Sequence, residues 1–190
     1  MAISKKIIVS IGIVIILLLG AGGVFWWQNQ KDVRELNKNL PEGVRVVKSL
    51  IWNEYKVVNR IDGYEFKASK EWGGINEIEY VPERTEEGYT AASIGIEGKE
   101  GGSRIVTIDR FKAEKTDIDL EKWAKTNFEA FGLVGNFEKD NVAGFRVVKT
   151  TEEVHLLAMC VYFFQKDLAI YAIVKGTEEF IRYIIDNGKW

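Results

Sequence analysis

The sequence predicts an α+β fold: an antiparallel β-sheet covered by helices on both faces, an α/β/α sandwich, preceded by one transmembrane helix. Three observations predict it. Residues 7–27, IIVSIGIVIILLLGAGGVFWW, hold no charged side chain. VHLLAMCVYFFQ (154–165) and LAIYAIVKG (168–176) are nearly continuous apolar runs joined by Lys166-Asp167, the pattern of an antiparallel hairpin covered on both faces. DLEKWAKTNFEAFG (119–132) and TEEFIRYIIDNG (177–188) place apolar residues at helical spacing and supply the covers.

The first segment divides into a cytoplasmic N-terminus (1–6), a signal-anchor helix (7–27) and a juxtamembrane linker (28–43). At about 1.5 Å rise per residue, 21 helical residues span roughly 31 Å, close to the ~30 Å hydrocarbon core of a bilayer. Trp26 and Trp27 suit the interfacial belt. Lys5 and Lys6 precede the stretch, whereas Lys31 and Arg34 are matched by Asp32 and Glu35, so the positive-inside rule places the large domain outside. A cleaved signal peptide would share the basic start, and Gly20 to Gly23 would suit a peptidase. The apolar residues Val24 to Trp27 beyond that point favour an uncleaved anchor in the cell membrane, single-pass, with residues 44–190 extracytoplasmic. The bilayer is thus one expected partner.

Along the domain, VRVVKSL reads as an early strand after a short helix over 31–38 that stops before Pro41. YKVVNRI (55–61) and GYEFKAS (63–69) flank the turn dipeptide Asp62-Gly63. INEIEYV (75–81) alternates imperfectly; PERTEEG (82–88) reads as a loop. TAASIGIEG (90–98) and SRIVTIDRFK (103–112) read as strands. Asp119 caps the first helix and Gly132 ends it; LVGNFEKDNVAG (133–144) is irregular, and GFRVVKTT opens a further strand. Thr177 caps the last helix, with Glu178 and Glu179 favourably placed in its first turn.

Charge excludes some functions. Lys5 and Lys6 are the only charges in the first thirty residues, so the remainder carries 24 basic and 28 acidic side chains, a net charge of −4. That gives no electrostatic footprint for nucleic acid. Cys160 is the single cysteine, so no internal disulfide forms.

The order of elements resembles the Mog1/PsbP-like group. GYEFKASKEWGG (63–74), the DLEKWAKTNFEAF helix, the Val142-Ala143-Gly144 step and VYFFQKDLAIYAIVKGTEEFIRYII carry the resemblance, over about 55–187. The group's proline before the tryptophan is absent from Ser69-Lys70-Glu71-Trp72, and its closing Ser-Phe has no counterpart. The resemblance implies a non-enzymatic binding or assembly fold and transfers no site residue.

Individual candidates for chemistry are sparse. His155, the one histidine, has Glu152 and Glu153 nearby, but on a strand these point to opposite faces, so a rim histidine is the plainer reading. Cys160 lies between Met159 and Val161, a packed thiol and not an exposed nucleophile. Gly98-Lys99-Glu100-Gly101-Gly102 lacks the phosphate-loop pattern: Ser93 stands where the first glycine belongs and Glu100 where a hydroxyl belongs. Asp117 and Asp119 offer a cation pair or, more commonly, a helix cap. Glu83 to Glu87 form a solvated acidic loop. Trp52, Trp72 and Tyr64 are core or rim aromatics, and Trp72-Gly73-Gly74 is the first place to look for a recognition surface. The expected function is a membrane-anchored extracytoplasmic binding or assembly module without catalytic activity, metal or cofactor, recognising a protein partner. A small-ligand sensor or a carboxylate-based envelope hydrolase are the alternatives.

Overall fold

The computed structural model of the chain describes residues 16–17, 20–28, 30–49, 54–68, 74–86, 89–98, 104–128, 136–154, 157–174 and 178–190. In order these form α1 (Lys31–Asn37), β1 (Val44–Lys48), β2 (Tyr55–Asn59), β3 (Tyr64–Lys67), β4 (Ile75–Glu86), β5 (Tyr89–Gly98), β6 (Arg104–Lys112), α2 (Leu120–Phe128), β7 (Phe137–Val142), β8 (Phe145–Val154), β9 (Leu157–Lys166), β10 (Ala169–Val174) and α3 (Glu178–Asn187). The strands make two antiparallel sheets, one of three strands in the order β1-β2-β3 and one of seven in the order β4-β5-β6-β10-β9-β8-β7.

Side-chain alternation then decides which sheet covers what. On β9, Cys160, Tyr162 and Phe164 face one side and Val161 and Phe163 the other, and all five are buried. The first side packs against the inner face of the small sheet (Val44, Val46, Tyr55, Val57, Tyr64 and Phe66) and against Ile181, Ile184 and Ile185 of α3. The second side packs against Ala124 and Trp123 of α2.

The expected α/β/α sandwich is therefore corrected. The chain is mostly β, and its three named helices are short, of seven, nine and ten residues. A ten-residue helix is only about 15 Å long and cannot roof seven strands. The large sheet's face is covered chiefly by a second sheet. The strand segments read at VRVVKSL, YKVVNRI and GYEFKAS do not say which sheet they join.

The transmembrane helix, the signal-anchor, and the single-pass localisation with an extracytoplasmic domain are corrected as well. Among the described residues no helix is long and apolar enough to cross a membrane. The described helical run 20–28 is about 14 Å long, under half of a bilayer core, and it opens on Gly20, Gly22 and Gly23, which bring no apolar side chain. Residues 1–15, 18 and 19 lie outside the described residues.

Two further differences have local causes. β4 runs through Pro82 to Glu86, where a loop was expected. β4 is an edge strand, so proline's missing N–H costs no ladder bond, and the register shifts between Val81 and Arg84. A second shift, between Ile75 and Glu77, places both Ile75 and Ile78 inward and explains the imperfect alternation there. The apolar run 154–165 also divides, because Val154 ends β8 and Leu157 begins β9.

Both edges of the small sheet are closed. On β1, the Asn37 carboxamide accepts from the Val46 N–H (2.7 Å) and donates to the Val46 carbonyl (2.9 Å), replacing a missing strand. On β3, Glu65 and Lys189 exchange backbone hydrogen bonds of 2.8 and 2.7 Å. That second closure brings Trp190 into a ring cluster, 4.9 Å from Phe164, 5.1 Å from Tyr171 and 5.3 Å from Tyr64 between centroids. Gly188 permits the reversal: a Cβ there would lie 2.5 Å from Trp190 Nε1 and 2.7 Å from the Ile184 carbonyl oxygen.

Two stability changes are expected. Asn37→Ala leaves the Val46 amide and carbonyl without their side-chain partner and lowers stability by about 1–2 kcal/mol in urea titration. Gly188→Ala expels Trp190 from the cluster, seen as a red-shifted tryptophan emission together with a loss of about 2–3 kcal/mol.

Candidate functional site

A concave feature with both apolar and charged lining lies between the segment entering α2 and the β7–β8 hairpin, a groove of about 590 Å³. Volumes of roughly 300–1,000 Å³ are usual for binding clefts. Apolar side chains of Ile118, Leu120, Phe145, Val147 and Val148 line it, among polar neighbours that include Asp119, Glu121, Lys139, Asp140, Asn141 and Arg146.

Each wall has a local cause. The hairpin turns through Ala143 (φ 52°) and Gly144 (φ 83°), with Val142 paired to Phe145. Two successive positive φ values are the signature of a type I′ turn, which suits the twist of paired strands. Gly144 adopts it freely, whereas Ala143 is held in a left-handed conformation that its Cβ disfavours. Phe145 then packs against Phe164, the rings tilted by 43° with centroids 5.0 Å apart. On the opposite wall Asp119 begins α2: its carboxylate accepts from the Lys122 N–H (3.2 Å) and its carbonyl from Trp123 (2.9 Å).

Two ion pairs cross from the α2 side to the hairpin. Arg146 donates to Asp117 at 2.5 Å, and Lys139 reaches Glu121 at 3.1 Å. Hydrogen bonding to Arg146 lowers the Asp117 pKa; hydrogen bonds from Lys125 and then Lys139 lower that of Glu121. Both pairs are solvent-exposed, and such pairs set orientation more than stability.

Asp140 connects the groove to a half-exposed polar network at the start of α3. It pairs with Arg182, which also donates through Nε to Glu178 Oε1 (3.1 Å). Lys149 (3.1 Å) and the Tyr162 hydroxyl (2.7 Å) donate to that same oxygen. The Tyr162 hydrogen bond, followed by Lys149 and Arg182, holds the Glu178 carboxyl down at about 2. Burial first, then the Glu178 acceptor, pushes the Tyr162 hydroxyl far up. Glu178 is thus a fixed acceptor and no proton donor near neutrality.

A second polar cluster sits in the seam between the sheets. Asn59 and Asp62 are buried; Asn59 Nδ2 donates to Asp62 Oδ2 at 2.7 Å, and its Oδ1 accepts from the Ile61 and Asp62 N–H groups. Tyr171 donates its hydroxyl to the Asp62 carbonyl at 2.9 Å. Burial, then the Asp62 charge, pushes Tyr80 up to about 12. This cluster ties the β2–β3 turn to β10.

The structure separates the candidates read from sequence. Asp117 is engaged by Arg146 and Asp119 by the helix start, and among the described residues no group of three metal-ligating side chains occurs. Cys160 is buried on β9. Tyr64 is buried in the seam. His155, Trp52, Trp72, Gly73 and Lys99 to Gly102 lie outside the described residues, and Glu83 is exposed on edge strand β4. The groove itself was missed. The pairs that join its walls are 18 and 29 residues apart in sequence, and the one local signal was the Val142-Ala143-Gly144 step.

No protein-family model matches the chain, and no curated protein matches it. A solved structure from Bacteroides thetaiotaomicron VPI-5482, at 1.50 Å resolution, is similar with a TM-score of 0.40 and 7% identity, over 66% of this chain and 44% of that one. The chain therefore spans less than half the length of that protein, and at this similarity nothing is carried over from it.

Two outcomes are expected. Because the Glu178 pKa is depressed, its stabilisation is present above the unfolded value near 4.5 and is lost as pH falls toward about 2. Glu178→Gln lowers stability by about 1 kcal/mol at pH 7, a figure kept small because 44% of the side chain is exposed, and the difference vanishes near pH 2 in denaturant titrations. Ala143→Asn relieves the turn and raises stability by about 0.5–1 kcal/mol in the same assay.

Proposed function

We propose that the chain is a binding module without a catalytic step, and that it recognises a segment of a protein partner in the groove between α2 and the β7–β8 hairpin. One observation carries this reading: a groove open to solvent in which half-buried Ile118, Leu120 and Phe145 lie among polar side chains, with its rim carboxylates already engaged. Asp117, Glu121 and Asp140 each hold a cation, and Asp119 holds a helix start. A general acid or base must be free to exchange a proton near neutral pH. Arg146 lowers the Asp117 pKa, Lys125 and Lys139 lower that of Glu121, and Asp140 and Asp119 are committed to Arg182 and the helix start, which favours orientation of a partner over chemistry on a substrate. Mixed apolar floors with charged rims are the usual composition of protein-recognition surfaces.

The resemblance to the Mog1/PsbP-like group points the same way, to a non-enzymatic assembly role, although the helix-covered sandwich of that group is not what this chain forms. The reading is tested with a photo-crosslinking amino acid placed at Asn141, on the exposed lip of the groove, and separately at Asp186 on the outer face of α3. The expected result is a discrete protein adduct from position 141 that is lost with Arg146→Glu and absent from position 186. No adduct at 141, or the same adduct from both positions, contradicts the reading.

A further inference from the structure

The outer face of the three-stranded sheet carries a concentration of positive charge that the groove between α2 and the hairpin does not explain. The chain as a whole is mildly acidic, at −2. Yet a second groove of about 600 Å³ on this face is lined by Arg45, Lys56, Arg60 and Lys189 and by one acidic side chain, Glu65. Lys56 (2.8 Å) and Lys189 (3.0 Å) both hold that carboxylate. Among the described residues, Arg45 and Arg60 have no carboxylate or carbonyl partner for their guanidinium groups. Both are exposed.

Register fixes the spacing of these two cations. Arg45 stands opposite Val58, and Arg60 lies two residues beyond Val58, just past the end of β2, its N–H bonded to the Gly43 carbonyl at 2.8 Å. Arg45 and Arg60 are therefore diagonal neighbours on one face, roughly 7–8 Å apart at their backbones. Side chains at i and i+2 of an extended chain are about 6.8 Å apart. Val47 and Ile61, 40% and 49% exposed, add apolar surface near the pair.

The sheet's edges decide how a partner approaches. Asn37 occupies the β1 edge and Lys189 the β3 edge, so a partner strand cannot extend the sheet by backbone pairing and must lie across its face. The rings that border the groove, Tyr64 and Trp190, are packed against Phe164 and Tyr171, so no ring is offered for stacking a nucleobase.

We propose that this face docks an extended acidic polypeptide segment of a partner protein, with carboxylates at alternate positions meeting Arg45 and Arg60 and an apolar residue between or beside them resting on Val47. The proposal goes beyond the reading of the α2–hairpin groove and stands without it. Charge complementarity of this kind accelerates encounter and selects against basic partners.

The test is fluorescence anisotropy on the full chain with a labelled Glu-Val-Glu-Val-Glu peptide, its Lys-Val-Lys-Val-Lys counterpart and an oligothymidylate of equal charge. The expected result is binding of the glutamate peptide alone. Affinity falls about ten-fold in the double variant Arg45→Glu/Arg60→Glu, and falls again as salt rises from about 50 to about 500 mM. Arg45→Gln/Arg60→Gln, which removes charge without reversing it, gives a smaller loss. Arg146→Glu, in the other groove, leaves this affinity unchanged. Since all three positions are exposed, the variants retain the wild-type circular dichroism. Equal affinity in Arg45→Glu/Arg60→Glu, no binding of the glutamate peptide by the wild type, or tighter binding of the oligothymidylate would overturn the proposal.

Discussion

The structure depends on the seam where the small sheet meets the large one. Seven strands expose two faces, and α2 covers part of only one. The other face holds Tyr162, Phe164, Tyr171 and Ile173, which would be a large apolar surface in water if left open. Three short strands close it. Their attachment is both apolar and directional: Tyr64 meets Tyr171 edge-on at 5.7 Å, Trp190 wedges among Tyr64, Phe164 and Tyr171, and the Tyr171 hydroxyl reaches the Asp62 carbonyl. Each ring pair adds about 0.5–1.5 kcal/mol beyond its buried area, and the hydroxyl fixes the register of the turn above β10.

That seam also explains where polar groups are tolerated inside. The β2–β3 loop, Arg60 to Gly63, is longer than the two-residue turn that Asp62-Gly63 suggested, because Asn59 folds back and organises it with its own side chain. Asp62 is buried as a result. Asn59, the tyrosine hydroxyls and nearby Arg110 make that burial tolerable. The same closure leaves the outer face of the small sheet free, with edges already occupied, and leaves the hairpin tip and the start of α2 to form the groove at the far end of the sheet.

Much of this was legible in the residues and some was not. The hairpin at Lys166-Asp167, the helical spacing of 120–128 and 178–187 and the strand segments flanking Asp62-Gly63 each correspond to an element, since these are local signals. The fold class was not legible, because period 2 says that one face is buried and is silent on the partner layer. Pro82 suggested an end to β4, but an edge strand accommodates it. The apolar stretch before residue 28 suggested a span that the described helices do not make. The groove depends on ion pairs between residues 29 and 18 positions apart, Asp117 with Arg146 and Glu121 with Lys139, which no local pattern announces.

Native-state hydrogen exchange tests the central claim, that the small sheet is sealed at both edges and belongs to the same cooperative unit as the large one. The account predicts that the Val46 and Glu65 amides, bonded to Asn37 and Lys189, are protected to nearly the same free energy as the Tyr171 and Ile173 amides of β10. Rapid exchange at Val46 and Glu65 while β10 remains protected would show the small sheet opening on its own, and would contradict it.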